Sequence, residues 1–282
     1  MKKRIYFAYL NLIRMVRAIA QYLFHKLNNV ISYLFKSTYS EVRGHTMFLD
    51  LNDTNQILSK MREDYSLDLI SNYIKEDDTV IDVGACIGMF TLEMAKLVGV
   101  NGRVIAFEPL KEGFNILEKN IQINNYEGRV KCYNKAILNK TGKGNLFYHP
   151  YHIGASVMYD EFEGREKREV DITTLDNHFK DTNNIFNLIK IDADGSEYFI
   201  LQGAKEVLSK TKALLIEFAI GRIIAQGVTP KEFLDLIKSY GFKIYLIDDE
   251  KRKLESGELE HLIMMLKGKE GLGNSVNLLC IK

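Results

Sequence analysis

From residue 79 onward, short apolar runs alternate with stretches in which apolar residues recur at helical spacing. Thr79–Val83 predicts a strand, Ile87–Leu97 a helix, Arg103–Phe107 a strand, Gly113–Ile123 a helix and Arg129–Tyr133 a strand. This β/α alternation argues for a parallel sheet with helices on both faces. The rhythm pauses over residues 137–172, where Gly142, Gly144, Gly154 and Gly164 punctuate short alternating runs such as Asn145–Tyr148. That stretch predicts an inserted hairpin and loop region, not a separate domain. The rhythm resumes with a strand at Leu188–Ile191, a helix at Glu197–Leu208, a strand at Ala213–Phe218 and a helix at Pro230–Tyr240, with Pro near its first turn. Lys243–Ile247 and Ser275–Ile281 are the final strands. The segment between them does not read as a crossover and suits an antiparallel hairpin at one sheet edge. Upstream, Val42–Leu51 predicts a lead-in hairpin around Gly44, and Asp64–Ile74 a helix with Leu67, Ile70 and Ile74 on one face.

The first 36 residues follow a different pattern. At 100° per residue, Asn11, Arg14, Arg17, Gln21, Asn28 and Ser32 fall on one narrow polar stripe, opposite a wide apolar face. Lys2, Lys3 and Arg4 resemble the start of a secretion signal, but no small-residue cleavage site follows. A spanning helix would bury two arginines in hydrocarbon at roughly 2.5–3.5 kcal/mol each. Basic residues beside a wide apolar face suit a helix lying in a membrane interface. They suit equally an amphipathic helix packed on the body or on a second subunit. The chain divides accordingly into a basic amphipathic helical extension over 1–40 and one domain over 41–282.

Composition changes the picture in two respects. The chain has 282 residues, 46% of them hydrophobic, enough for one sizeable α/β core. Residues 1–36 hold seven basic and no acidic side chains, so the whole-chain charge of +1 leaves −6 for the remainder. A body of that sign lacks the basic footprint of a general nucleic-acid binder. Small molecules or neutral polar surfaces are the expected partners, and oligomeric state is not legible. Cys86, Cys132 and Cys280 are far apart and have no C-x-x-C spacing, so neither a disulfide framework nor a structural zinc site is expected. A reducing, cytoplasmic setting fits, with the inner membrane face as a site of peripheral contact through residues 1–36.

The segment with candidate chemistry is Ile81-Asp82-Val83-Gly84-Ala85-Cys86-Ile87-Gly88. Gly84 lets the chain turn sharply out of the strand, and Gly88 lets the helix start pack closely. A dinucleotide loop would read G-x-G-x-x-G and hold a pyrophosphate on the helix N-terminus. Here the spacing is G-x-x-x-G with Asp82 before it. A carboxylate there would repel a pyrophosphate and suit a cofactor carrying positive charge, such as S-adenosyl-L-methionine. Twenty-four residues after Gly84 the next strand ends in Glu108-Pro109. That carboxylate can accept hydrogen bonds from both hydroxyls of a ribose, at roughly 1.5–3 kcal/mol each.

With IDVGACIG at 81–88 and AFEP at 106–109 stand IKIDADGSE at 189–197, LIEF at 215–218 and TLD at 174–176. In this order the motifs resemble the FkbM family of class I methyltransferases, over about residues 42–281. The resemblance implies a doubly wound, mostly parallel seven-stranded Rossmann-like α/β sheet with its last strand antiparallel, here carrying an N-terminal helical extension. It also implies methyl transfer from S-adenosyl-L-methionine to a hydroxyl of a sugar, glycan or related natural product. Cys86 stands where the family usually has Asn, Asp194 replaces a frequent Glu, and Tyr65-Ser66 replaces a common Tyr-Glu pair. The last change puts an upstream contact in doubt.

The cofactor-binding candidates are Asp82, Gly84, Ala85, Gly88, Glu108, Pro109, Asn134 and Asp192. In open α/β sheets ligands sit beyond the carboxyl ends of the strands. Asp192 and Glu217 end the fourth and fifth core strands and are catalytic candidates. Asp192 would orient the acceptor or take its proton, a task worth roughly 10²–10⁴-fold, or would hold backbone amides or the cofactor. His152, like His149, lies in the glycine-containing insertion, where a histidine can serve as base near neutral pH. Ser156 is a candidate lining residue of the acceptor pocket. Asp194-Gly195-Ser196-Glu197 fits a capping box with Asp194 as N-cap, which makes Glu197 structural. Asp192 with Glu217 lacks a further convergent ligand, so no metal is expected. Two other readings stay open: a nicotinamide-dependent oxidoreductase, which the missing third glycine disfavours, and a non-catalytic scaffold with this fold.

Overall fold

A computed structural model describes residues 39–49, 64–149, 152–159, 165–256, 258, 260–262 and 275–282. The N-terminal amphipathic segment of residues 1–36 lies outside the described residues. In chain order the elements are β1 (Tyr39–Val42), β2 (His45–Phe48), α1 (Asp64–Leu69), β3 (Thr79–Val83), α2 (Met89–Leu97), β4 (Arg103–Phe107), α3 (Lys111–Ile123), β5 (Val130–Tyr133), β6 (Ala136–Ile137), β7 (Gly142–His149) and β8 (His152–Val157). They continue with β9 (Glu166–Thr173), α4 (Leu175–His178), β10 (Phe186–Ile191), α5 (Glu197–Gln202), α6 (Lys205–Ser209), β11 (Thr211–Phe218), α7 (Ile220–Ala225), α8 (Pro230–Ser239), β12 (Lys243–Asp248), β13 (Lys253–Ser256) and β14 (Val276–Ile281).

The main sheet has the order β13-β12-β14-β11-β10-β3-β4-β5. β3, β4, β5, β10 and β11 are parallel neighbours. Their sequences are near-continuous apolar runs because helices cover both faces. Val80, Leu188 and Leu215 face one core, with α2 and α3; Ile81, Ile189 and Leu214 face the other, with α5, α6 and α8. The chain runs outward from β3 to β5, then returns to β10 on the other side of β3. The strand order therefore reverses between β3 and β10, where open α/β sheets hold their ligands. The register pairs Val83 with Phe107 and Ile191, Phe107 with Tyr133, and Ile191 with Ile216. One step further on, Gly84, Glu108, Asn134, Asp192 and Glu217 follow in one row along the carboxyl edge.

Several expectations are refined. The last strand does pair antiparallel with β12, but it lies between β12 and β11 and not at the edge. Its Leu278, Leu279 and Cys280 are all buried, so it needs cover on both faces. The seven expected strands are joined by an eighth, β13, which forms the edge beyond β12. The insertion forms a second, four-stranded sheet of order β6-β9-β7-β8. The helix expected over 197–208 breaks at Gly203, where a Cβ would lie 2.3 Å from the carbonyl oxygen of Leu138. The helix expected over 64–74 ends at Leu69 and tightens into a 3-10 turn over Ile70–Asn72. Pro230 does open α8, behind a Thr229–Glu232 capping box.

The lead-in hairpin turns at Arg43-Gly44, as its alternation predicts. It attaches to α3 through two asparagines one helical turn apart. Phe48 N–H donates to Asn120 Oδ1 at 2.6 Å, and Thr46 N–H to Asn124 Oδ1 at 3.1 Å. Asn120 Nδ2 donates in turn to the carbonyls of Phe48 (3.1 Å) and Ile87 (2.8 Å). The hairpin is thereby tied to the glycine loop.

Candidate active site

The loop after β3 hooks onto the next strand. The N–H groups of Gly84 and Ala85 both donate to the carbonyl of Phe107, at 3.0 Å. Gly84 has φ +78°, and a Cβ there would lie 1.8 Å from the carbonyl oxygen of Asp192. Glycine is therefore required twice over, by its dihedral and by the close approach of β10. Cys86 also has positive φ (+52°), which L residues other than Asn and Asp rarely adopt. Gly88 (φ +98°) is the N-cap of α2.

Glu108 closes the loop. Its Oε2 accepts from Cys86 N–H and its Oε1 from Leu110 N–H, both at 2.8 Å. Each oxygen keeps a second lone pair for another donor. Glu108 is 4% exposed, and burial pushes its carboxyl up to about 7 against those two amide bonds. Glu108 and Pro109 line a cavity of about 250 Å³. Asn134 stands behind them, donating through Nδ2 to the carbonyls of Glu108 (2.8 Å) and Pro109 (2.9 Å). Neither it nor the buried Ala85 lines the cavity.

Asp82 is fully buried one step below the loop and does not line the cavity. Its Oδ2 accepts from Thr91 Oγ1 at 2.6 Å, and its Oδ1 lies 3.5 Å from Lys190 Nζ. The expected direct meeting of Asp82 with a cationic ligand is thus replaced by a buried pair with Lys190. Lys190 Nζ is also 3.2 Å from Asp192 Oδ2 and 3.4 Å from the carbonyl of Gly84, and lies 4.9 Å from the Phe90 ring centre. Lys190 is not among the residues that the motifs single out. Its signal was a lysine inside an otherwise apolar strand, which burial forces into a charge partnership.

Asp192 donates its N–H to the carbonyl of Val83 (3.0 Å), and its half-buried carboxylate lines the cavity. The turn that follows has two left-handed residues, Asp194 (φ +51°) and Gly195 (φ +103°). This corrects the capping-box assignment. Ser196 is the N-cap of α5, and the Asp194 carboxylate pairs with Arg222 instead. Glu197 does reach back, as a structural carboxylate would, and its Oε1 accepts from Ala193 N–H (2.8 Å) and Gly195 N–H (3.1 Å). It is fully buried, its Oε2 has no hydrogen-bond partner, and burial pushes it up to about 7, with Asp192 adding repulsion.

Glu217, at the end of β11, accepts from Arg222 Nη1 at 3.3 Å. Burial, then Asp192 and Glu197, raise its pKa well above the usual carboxyl range. Burial alone would lower the pKa of Arg222, but Asp194, Glu217, Glu197 and Asp192 together raise it. Arg222, on α7, was also missed, because a single turn of helix after a strand has no distinctive sequence pattern. Among the described residues no group of three or more His, Cys, Asp or Glu is arranged to hold a metal ion. The guanidinium of Arg222 sits between Asp194 and Glu217.

The second sheet covers the cavity with Ile137, Leu146, Gly154, Ser156 and Met158. Ser156, expected at an acceptor pocket, lines this cavity. His152 pairs with His149 across the β7–β8 hairpin, two residues before Gly154; the side chain of His152 lies outside the described residues. His178, not singled out from sequence, lies 4.4 Å from Tyr133 and 4.9 Å from Phe107, ring centre to ring centre. Burial and then Lys135 and Lys131 lower its pKa.

A family profile described as the Methyltransferase FkbM domain matches residues 82–244. "Methyltransferase 1" of Beauveria bassiana is 25% identical over 148 residues, covering 45% of this chain and 59% of that protein. "Methyltransferase sdnD" of Sordaria araneosa is 25% identical over 157 residues, covering 45% of this chain and 60% of that protein. Both matches span less than two thirds of the relative's length. Among solved structures, an FkbM methyltransferase from Methylobacillus flagellatus KT aligns over 74% of this chain and 44% of its own, at 16% identity and a TM-score of 0.46. An O-methyltransferase from Bacillus cereus in complex with SAH aligns over 79% of this chain and 81% of its own, at 12% identity and a TM-score of 0.44.

Proposed function

This chain belongs to the FkbM methyltransferase family, and on that premise we propose that it transfers a methyl group from S-adenosyl-L-methionine to a hydroxyl of a sugar, glycan or related natural product. The observation that carries the cofactor reading is the pairing of two features at the strand-order reversal. The Gly84 backbone approaches Asp192 so closely that a Cβ would overlap it, and Glu108 presents unused lone pairs on the same cavity. Glu108 would accept from the ribose hydroxyls, with Asn134 and Pro109 fixing its backbone and Gly84, Ala85 and Gly88 shaping the loop. Asp82 acts from beneath, by holding Lys190 against Asp192.

The cofactor supplies an electrophilic methyl group on a cationic sulfur. The chain must then position a hydroxyl in line with it and remove the proton. Asp192 is the proposed proton acceptor, because Lys190 braces one of its oxygens and its carboxylate borders the cavity. Glu217, held by Arg222, would orient the acceptor oxygen. Gly154, Ser156 and Met158 would contact the rest of the acceptor, and His152 lies on the same strand.

Calorimetry with S-adenosyl-L-methionine tests the cofactor site. Glu108→Ala should weaken binding by tenfold or more, about 1.4 kcal/mol, and unchanged affinity would refute the assignment. A radiolabelled methyl donor against a panel of hydroxylated glycans tests the chemistry. Asp192→Asn should lower turnover by roughly 10²–10⁴-fold while cofactor binding persists.

A further inference from the structure

The cavity lining holds Asp192, Asp194 and Glu217 beside the cations Arg222 and Lys135, and Glu197 is fully buried behind it. These four carboxylates come from the β10–α5 turn, the start of α5 and the end of β11. Arg222 is paired with Asp194 and Glu217, and Lys190 is shared between Asp192 and the buried Asp82. Glu108 faces the same cavity from β4, and the Tyr159 hydroxyl approaches the Asp194 carbonyl at 3.5 Å, with Arg165 acting on it from the second sheet. A second observation is independent of this placement. Glu197 is fully buried, yet its Oε2 has no hydrogen-bond partner. An ionised oxygen in that position is costly, and protonation relieves both the desolvation and the repulsion. The titration of Glu197 and Glu217 above the ordinary carboxyl range agrees with this.

We propose that this carboxylate cluster holds a shared proton in the ligand-free protein, releases it when a cationic cofactor binds, and thereby becomes the base that takes the acceptor's hydroxyl proton. The inference rests on the methyltransferase reading and deepens it. The balance closes. On binding, one proton leaves the cluster for the solvent as one positive charge arrives. On transfer, the S–CH₃ bond breaks with its electron pair staying on sulfur, the O–CH₃ bond forms, and the O–H proton returns to the cluster. The cluster ends in its starting state beside a neutral thioether, which it no longer attracts. Charge on the cofactor, not shape alone, would distinguish substrate from by-product.

Calorimetry of the full chain at pH 7, in phosphate and in Tris, counts the protons released on binding S-adenosyl-L-methionine. Comparing the unaltered protein with Glu217→Gln cancels the ligand's own ionisation. The unaltered protein should release more, by about half to one proton. A second measurement needs no variant. The preference for S-adenosyl-L-methionine over S-adenosylhomocysteine should widen from pH 6 to pH 8, by up to about tenfold per unit. Equal proton counts in the two proteins, or a preference independent of pH, would overturn the inference while leaving the methyltransferase reading intact. Failure of both molecules to bind would overturn that reading, and this inference with it.

Discussion

Gly84 and Gly88 carry the same letter in the sequence and face different surroundings. A Cβ at Gly84 would meet a backbone oxygen at 1.8 Å, which cannot move without displacing the end of β10. A Cβ at Gly88 would crowd the Cδ1 of Leu117 at 2.7 Å, the end of a flexible side chain, and make ordinary contact with Thr91 Cβ at 3.9 Å. Both have positive φ. Gly84→Ala should therefore cost about 3 kcal/mol or more, and Gly88→Ala about 1–2 kcal/mol. Urea denaturation reads the difference, and equal losses would count against it. Glu197 makes a prediction about pH. Its carboxyl is raised from 4.5 to about 7 in the folded protein, so the folded state binds the extra proton. That stability is fully present below about 4.5 and is lost as pH rises through about 7, amounting to about 3 kcal/mol. Glu197→Gln keeps an acceptor for Ala193 and Gly195 but cannot ionise. Between pH 4.5 and 7.5 the unaltered protein should lose stability relative to this variant; parallel pH curves would contradict the assignment. The motif letters made Glu108, Asp192 and Glu217 legible. Lys190 and Arg222 were not legible, because their roles depend on which strand neighbours which.

At the scale of elements, helix α3 serves as a lateral partner for strand β2. Asn120 and Asn124, one turn apart, offer the strand an acceptor and a donor each. Asn120 is fully buried and also holds the carbonyl of Ile87 beside Gly88. Asn120→Ala would leave those backbone groups without partners, at about 2–4 kcal/mol in total. Hydrogen exchange should show lost protection at Thr46 and Phe48 before the main sheet loosens; unchanged rates there would show that the hairpin is held by other contacts. Element types were largely readable because strands buried on both faces are apolar throughout and amphipathic helices are not. Element ends were less so. The break at Gly203 follows from the carbonyl of Leu138, a residue more than sixty positions away.

At the scale of the whole molecule, the basic N-terminal segment stands apart from the net-acidic remainder of the chain. Among the described residues no helix is long and apolar enough to cross a membrane. We propose that residues 1–36 bind a membrane surface, with their basic side chains toward anionic lipid. Removing them should abolish flotation with anionic liposomes, and equal flotation of full-length and truncated chains would leave packing on the body as their role. The sequence by itself determined the fold class and the glycine loop. Alternation, glycine spacing and strand-end acids are local properties, and each expresses a local physical need. Only the tertiary structure decided that the final strand lies inside the sheet and that Asp82 sits beneath the cavity. It alone gathered four carboxylates from three elements, two of them, Asp194 and Glu217, paired with one guanidinium. Those outcomes depend on register and strand order, which are set by burial across the whole sheet and are not written in any single segment.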